Sequence, residues 1–320
     1  MPSTLKKRLW AYIVYLNKFK ELSKAIQLSS IAEIRKNKKV LAARGHSLFL
    51  ASELFGELRM FDDEDSSCHI YTVIVISSER NCCGKLNGDV YYGARDYIND
   101  CIDNNHIVNI VSIGWKGTNN LYMKYDEYIS HKMLRVSYKP SMFFAYLLML
   151  CIAETNYDTC AIIYNKYYKV FKQVTEMFEI PSYNILFDIL YNNREDDLLC
   201  SLLTSESAEG VSLRELYVYN VCLVILDALR EAMYSEWGSR AYAMEIAHKN
   251  AKSLIVEYML RFNRARQEEI TVDLLEVISG AIYSAKLISM DVSELAVMYP
   301  YEISNDELNI QSIHTVVHNA

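Results

Sequence analysis

The sequence predicts an α+β protein in which two long terminal helices pair with each other and a smaller α/β domain is inserted between them. Three observations predict this fold class. The chain has only 10 glycines and 4 prolines in 320 residues, so residues that break helices are scarce. Apolar and small residues recur at heptad spacing towards both ends of the chain. Between those ends, short β-branched runs alternate with helical stretches, which is typical of an α/β domain.

The first helix is predicted within residues 1–61, because Pro2 and Ser3 form a suitable start and no further proline follows. An acidic run, residues 62–65, is expected to end the helix as a linker. Seam residues are spaced alternately by four and three, which is the pattern of one strand of a coiled coil. They are Leu5, Leu9, Tyr12, Leu16, Phe19, Ser23, Ile26 and Ser30.

Residues 62–211 are predicted to form the inserted α/β domain, with a Rossmann-like alternation of strands and helices. Its strands are recognised as β-branched runs of the kind that is buried on both faces of a sheet. The predicted strands are Ile70–Ile76, Ile107–Ile113, Cys160–Tyr164 and Val170–Phe178, and the predicted helices are Gly88–Asn104 and Pro140–Glu154.

The second long helix is predicted at residues 212–289, where Ser212 and Glu215 form a capping box. A helix of about 75 residues would be about 110 Å long, so it has to pair with the first helix in an antiparallel coiled coil. A seven-residue repeat imposes a left-handed supercoil. Residues 290–320 are expected to form a poorly packed tail. The seam comprises Trp237, Ala241, Met244, His248, Ala251, Ile255, Tyr258, Phe262 and Ala265, then Leu274, Ile278, Ala281, Ala285 and Ile288.

The charge of the chain is divided unevenly. Residues 1–44 contain eleven basic and two acidic residues and so carry +9, which leaves −16 on the remainder of a chain with net charge −7. A basic segment of this kind indicates an acidic partner surface, nucleic acid or anionic lipid, or simply a solvated helix face. The 8 cysteines include no CxxC pair, so no metal site is expected. No uncharged apolar run is long enough for a membrane span.

The most specific motif lies near the C-terminus, in Asn263–Gln267 followed by Ile270–Ala281. Together with Ser235–Ala241 and Ala243–Ala251 upstream, it resembles the gamma subunit family of F-type ATP synthases. Asp273 stands where that family usually has Glu.

Two further segments are similar to the same family. Leu22–Ile26 resembles its N-terminal motif, although Gln27 stands where the family usually has Lys. Ser77–Asn87 resembles its first strand-end loop, with Asn81 and Lys85 in place of glycines. Residues 90–205 carry no motif that would assign them to the family.

The resemblance implies a rotor shaft that couples proton-driven rotation of a membrane ring to ATP synthesis or hydrolysis in a ring of alpha and beta subunits. The implied partners are therefore the alpha and beta subunits, a small epsilon-type or delta-type rotor subunit and the c-ring, with no nucleic acid. No catalytic residue, cofactor or metal is expected in this chain. Contacts with beta-subunit loops are expected from Arg264, Arg266, Gln267 and Lys24, and packing within the shaft from Met244, Ile255, Phe262, Ile278 and Gly280.

Other readings of the sequence remain open. A coiled-coil tether with an α/β binding module would need only the heptads. A nucleotide-dependent enzyme would need a phosphate loop, of which only Gly84-Lys85 is present. The expected location is the matrix side of the mitochondrial inner membrane, with a bacterial plasma membrane as the alternative. The tail 290–320 is expected to be an accessory addition that coupling does not require.

Overall fold

The computed structural model of the chain describes residues 2–42, 68–134, 140–169, 172–192 and 211–298. The first long helix, α1, is Pro2–Ala42, and the last, α6, is Val211–Met298. The elements between them are β1 Ile70–Ile76, α2 Leu86–Asp103, β2 Ile107–Ile113, α3 Trp115–Tyr125, a 3₁₀ turn at Asp126–Tyr128, β3 Ile129–Met133, α4 Met142–Ala153, β4 Thr159–Lys169, β5 Lys172–Pro181 and α5 Tyr183–Asn192.

The strands form one five-stranded sheet in the order β3-β2-β1-β4-β5. The first four strands run parallel, with Ile70 opposite Ile107 and Tyr71 opposite Thr159, and β5 pairs with β4 in the antiparallel direction. Parallel neighbours require crossover connections, and these are provided by the helices. The inserted domain is therefore an α/β domain, as predicted, with an antiparallel strand at one edge.

The sheet has a hydrophobic core on each face. Val73 and Val75 of β1 pack with α2 and α3, whereas Ile74 and Ile76 pack with α4 and the first part of α6. This alternation follows from the two-residue period of a strand. Because both faces are covered, the central strands are continuous apolar runs, which is why the sequence predicted the bounds of β1 and β2 correctly.

Three elements of the inserted domain were not predicted: α3, β3 and α5. The α3 sequence, WKGTNNLYMKY, is rich in residues of low helix propensity. Its position depends instead on a close approach to Ser77 after β1: a Cβ atom added at Gly117 would lie 2.5 Å from the Ser77 side chain. The Gly117 amide donates to Ser77 Oγ over 2.9 Å, and Ser77 Oγ in turn donates to the Ile113 carbonyl.

The chain divides into two compact units, residues 16–254 and residues 1–15 with 255–320. In the first, α1 and α6 run antiparallel: His248 Nδ1 lies 3.0 Å from the Lys20 carbonyl oxygen, and Tyr234 Oη donates to the Asn37 carbonyl over 3.1 Å. His248, which the sequence places in the seam, thus contacts the first helix through its ring. The buried positions of this helix pair are Ser23, Gln27, Ser30, Trp237, Ala241, Met244 and Ala251.

In the other unit, the same two helices also run antiparallel. Lys6 forms an ion pair with Glu269, and the rings of Trp10 and Phe262 have centroids 5.5 Å apart. Ile13 and Ala265 are buried between the helices, while Ile255 and Phe262 are half-buried. The antiparallel pairing is thus confirmed in each unit, and the left-handed supercoil stays a prediction.

Ile278 and Gly280, which were expected to pack within the shaft, lie on the exposed segment of α6 in the described part of the chain, and their packing stays a prediction. Ile278 is 52% exposed, and a Cβ atom added at Gly280 would meet nothing within 4 Å. The reason is the register of the pair. Lys6 already lies level with Glu269, and α1 begins at Pro2, so the described first helix ends before it could reach these positions.

The two long helices also differ from the predicted bounds. The last helix continues to Met298, beyond the predicted end at residue 289, because no glycine or proline follows Gly280 until Pro300. The predicted continuation of the first helix to Phe61 and the acidic linker at residues 62–65 lie outside the described residues. None of the described helices has a stretch long and apolar enough to cross a membrane.

Candidate partner interface

The C-terminal part of α6 exposes apolar side chains around its surface. Every residue from Thr271 to Lys286 is exposed. Single exposed apolar residues are common, but a continuous set on one helix marks an interaction surface. The apolar members of this set, here called the distal surface, are Val272, Leu274, Leu275, Val277, Ile278, Ile282 and Tyr283.

Arg264, Arg266 and Gln267 lie just before the distal surface, and all three are exposed. Ala265, between the two arginines, is buried against α1. The helix therefore directs its small residue inwards and its guanidinium groups outwards. Guanidinium groups stay charged and make directional, paired hydrogen bonds to carboxylates, so this segment suits an acidic partner loop.

A basic cavity of about 650 Å³ opens between α1, the loop after β1 and α6 in the unit of residues 16–254. Lys36 and Arg80 outnumber Glu33, the one acidic residue of its lining, whereas the charge of Arg240, also in the lining, is paired with Glu236. An excess of positive charge steers acidic partner surfaces towards such a site. The remaining lining residues are Ala25, Ile26, Ser29, Ser30, Asn37, Met233 and Trp237.

Lys24 is exposed on α1 and belongs to a small polar network between the two helices. Its ammonium group donates to Gln27 Oε1 over 3.0 Å, and Gln27 Nε2 lies 3.4 Å from Glu245 Oε2. Glu245 also accepts a hydrogen bond from Lys249, which lowers the pKa of Glu245. An ammonium group carries three donors, so Lys24 retains donors for a partner.

The loop after β1 is attached to α6 by a buried polar cluster. Ser239 Oγ donates to the Cys83 carbonyl over 2.5 Å, and Arg240 Nη2 lies 3.2 Å from Cys83 Sγ. Arg240 also forms an ion pair with Glu236, and its Nε lies 3.5 Å from the Asn81 carbonyl oxygen. These five residues, Asn81, Cys83, Glu236, Ser239 and Arg240, are called the clasp below.

Burial shifts the pKa values of two residues of the clasp, Cys83 and Glu236. It raises the pKa of Cys83 to about 11, although the nearby Arg240 acts in the opposite direction. Cys83 Sγ lies within hydrogen-bond reach of the Arg80 and Asn81 carbonyl oxygens. A neutral thiol can donate a hydrogen bond to such oxygens, whereas a thiolate cannot. Burial also raises the pKa of Glu236, and Arg240 opposes this shift too.

The clasp was not predicted from the sequence. The local signal is a Glu and an Arg four residues apart, within the Ser235–Ala241 motif of the sequence. The weak phosphate-loop resemblance at Cys83-Gly84-Lys85 has another explanation, because this loop packs on α6: a Cβ atom at Gly84 would lie 3.7 Å from Ser239 Oγ.

Among the described residues, no group of three or more His, Cys, Asp or Glu side chains is placed to hold a metal ion. Asp273 and Glu276 lie on the exposed segment of α6 and not in a cleft.

These features define a class of protein: two antiparallel terminal helices that carry an inserted α/β domain and expose contact surfaces. The family model described as ATP synthase matches residues 6–282. A relative from Geobacter sp. (strain M21), the ATP synthase gamma chain, is 27% identical over 288 residues, covering 87% of this chain and 96% of the relative. The chain belongs to the ATP synthase gamma chain family.

Solved structures show the same fold. One chain from the mitochondrial ATP synthase of Euglena gracilis, in a structure of OSCP, F1 and c-ring in rotational state 3, matches with a TM-score of 0.75 and 20% identity, over 96% of this chain and 99% of that one. A chain from the rotor of the same enzyme in rotational state 1 matches with a TM-score of 0.71 and 20% identity, over 84% of this chain and 99% of that one.

Proposed function

We propose that this chain is the central-stalk subunit of a rotary ATP synthase, and that it transmits rotation between a membrane ring and the catalytic alpha and beta subunits. The observation that carries the proposal is the distal surface of α6. It is apolar and exposed, and it is preceded by Arg264, Arg266 and Gln267. Such a surface fits the inside of a ring of partner subunits. Membership of the gamma chain family supports the same role.

The mechanism is mechanical. The two faces of α6 differ, because small buried residues such as Ala265 alternate with exposed arginines. A surrounding ring of subunits therefore meets a different surface at each angle. Each angle stabilises a different conformation of the nearest beta subunit through differential contact energy. In this proposal the chain contributes no catalytic group, and ATP chemistry takes place in the ring.

The other partners follow from the same proposal. The inserted domain contacts a small epsilon-type or delta-type rotor subunit and the c-ring, and the basic cavity receives acidic loops of the catalytic ring. The chain is peripheral to the mitochondrial inner membrane on its matrix side. The mitochondrial origin of the similar structures supports this location.

Affinity purification of the chain from its native membranes in mild detergent tests the proposal. We expect alpha and beta subunits in about threefold excess over this chain, together with a small rotor subunit. Purification of the chain alone, or with unrelated partners, would contradict the proposal and favour a tether built from a helix pair. That reading also fits the exposed surface of α6, but it predicts no ATPase ring.

A further inference from the structure

The clasp is a buried polar joint at the segment of α6 that adjoins both the sheet and α1. The Arg240 and Glu236 side chains are 9% and 11% exposed. A second Glu–Arg pair with the same spacing on the same helix, Glu257 and Arg261, is 50% and 59% exposed. The exposed pair retains most of its contact with water, whereas the buried pair must satisfy its charges within the protein.

Burying an ion pair does little for stability by itself, because the cost of desolvation offsets the attraction between the charges. Apolar packing would hold the loop against α6 equally well. Apolar contacts, however, are non-directional. Hydrogen bonds weaken steeply when they are misaligned. The clasp therefore resists sliding or turning of α6 against the loop in a way that apolar packing does not.

A second attachment lies next to the clasp. Glu231 Oε2 accepts a hydrogen bond of 2.6 Å from the Tyr167 amide of β4. Gly238 lies so close to the β4–β5 hairpin that an added Cβ atom would be 2.8 Å from the Tyr167 ring and 3.0 Å from Gln173 Nε2. The same segment of α6 is thus held from two sides of the inserted domain.

We propose that the clasp is the torque-bearing joint of this subunit: it locks α6 to the inserted domain, so that a rotation applied to the domain turns α6 through the same angle. The inference rests on the central-stalk function proposed above. The hydrogen bonds and the ion pair of the clasp lie beside α6 and not on its axis. Only bonds placed away from the axis can oppose a rotation about it. Asn81, Cys83, Glu236, Ser239 and Arg240 are positioning residues in this role and take no part in ATP chemistry.

The test uses the assembled ATP synthase in sealed membrane vesicles. Arg240→Lys and Glu236→Gln, each in a Cys82→Ser background, loosen the clasp, and Arg261→Lys and Glu257→Gln are the matched controls on the exposed pair. Three quantities are measured: ATP hydrolysis, proton pumping per ATP, and maleimide labelling of Cys83 by mass spectrometry. Cys83 is a buried thiol within the clasp and reports whether the joint has opened.

In the clasp variants we expect hydrolysis to stay within about twofold of the parent, while pumping per ATP falls by about threefold or more and Cys83 labels faster. The control variants should change none of the three. Faster Cys83 labelling with unchanged pumping per ATP would overturn the proposal, because the joint would then be open without loss of coupling.

If neither clasp variant assembles into the enzyme, Ser239→Ala is tested instead. This substitution removes only the hydrogen bond to the Cys83 carbonyl. Reduced pumping per ATP in that variant supports the proposal, and unchanged pumping overturns it. Absence of an ATPase ring around the unmodified chain is a separate outcome, since it would overturn the central-stalk function itself.

Discussion

Gly238 and Gly280 lie on the same helix, and their surroundings predict opposite effects of substitution by alanine. Replacing glycine by alanine within a helix is worth about 1 kcal/mol of stability when the new methyl group meets nothing. Gly280→Ala should therefore raise the free energy of unfolding by about 1 kcal/mol. Gly238→Ala forces the Tyr167 ring and Gln173 to move, and should lower the free energy of unfolding by about 1–3 kcal/mol.

Urea unfolding of the full chain, alone in solution, measures both effects. The pair forms its own control, because the chemical change is the same at both positions. A loss of stability in Gly280→Ala would mean that the glycine is packed within the chain after all. If Gly280→Ala stabilises the chain but impairs coupling in the assembled enzyme, the position contacts a partner subunit.

The raised pKa of Cys83 predicts how the free energy of unfolding depends on pH. Burial raises the pKa of its thiol from 9.0 to about 11, so the folded chain binds this proton more tightly than the unfolded chain does. The stability that the neutral thiol contributes is fully present below pH 9.0 and is lost as the pH rises towards about 11. In Cys83→Ser, the free energy of unfolding should therefore fall less steeply over this interval.

Urea unfolding at a series of pH values compares the two chains. Cys82→Ser is the matched control, because the neighbouring Cys82 is exposed. Equal slopes in the parent chain and in Cys83→Ser would show that Cys83 does not titrate differently in the folded state.

At the scale of elements, the pairing of α1 with α6 depends on a few buried side chains. Ile13 is 2% exposed in the unit of residues 1–15 and 255–320, whereas its neighbour Val14 is 38% exposed. Ile13→Ala leaves a cavity and should destabilise the helix pair in this unit by about 2–4 kcal/mol. Val14→Ala should change its stability by less than about 1 kcal/mol.

Hydrogen exchange of the α1 amides in the full chain reports this local stability, since a helix end can open without unfolding the sheet domain. Faster exchange in Ile13→Ala than in Val14→Ala is the expected order. Similar exchange rates in the two variants would show that the buried Ile13 side chain does not hold α1 against α6.

At the scale of the whole molecule, the proposed contact with the catalytic ring depends on Arg266 and Gln267. Both are exposed, so replacing them by alanine removes no contact from the core of this chain. The double variant should fold with the stability of the parent, within about 0.5 kcal/mol. It should nevertheless lower the proton pumping obtained per ATP hydrolysed in the assembled enzyme.

Lys252→Ala with Glu257→Ala provides the control, because both residues are exposed on the same helix. The ratio of pumping to hydrolysis in membrane vesicles is the measured quantity. An unchanged ratio in the Arg266 and Gln267 variant would rule out these two residues as coupling contacts.

The sequence by itself determined the fold class, because the signals that define it are local. A heptad repeat encodes a pairing helix wherever it occurs, and a β-branched run such as Ile70–Ile76 encodes a buried strand. The segments that resemble the gamma subunit family, Asn263–Gln267 among them, were equally visible in the sequence. These patterns need no knowledge of what lies next to them in space.

Only the tertiary structure decided where the helix pairing ends and how α6 is held. A seven-residue repeat matches itself at every shift of seven, so it cannot set the register that leaves Ile278 exposed. The clasp joins Cys83 to Ser239 across 156 positions of the chain. Contacts over such a separation depend on how the sheet, the loop after β1 and α6 pack together, and no local pattern in the sequence records that packing.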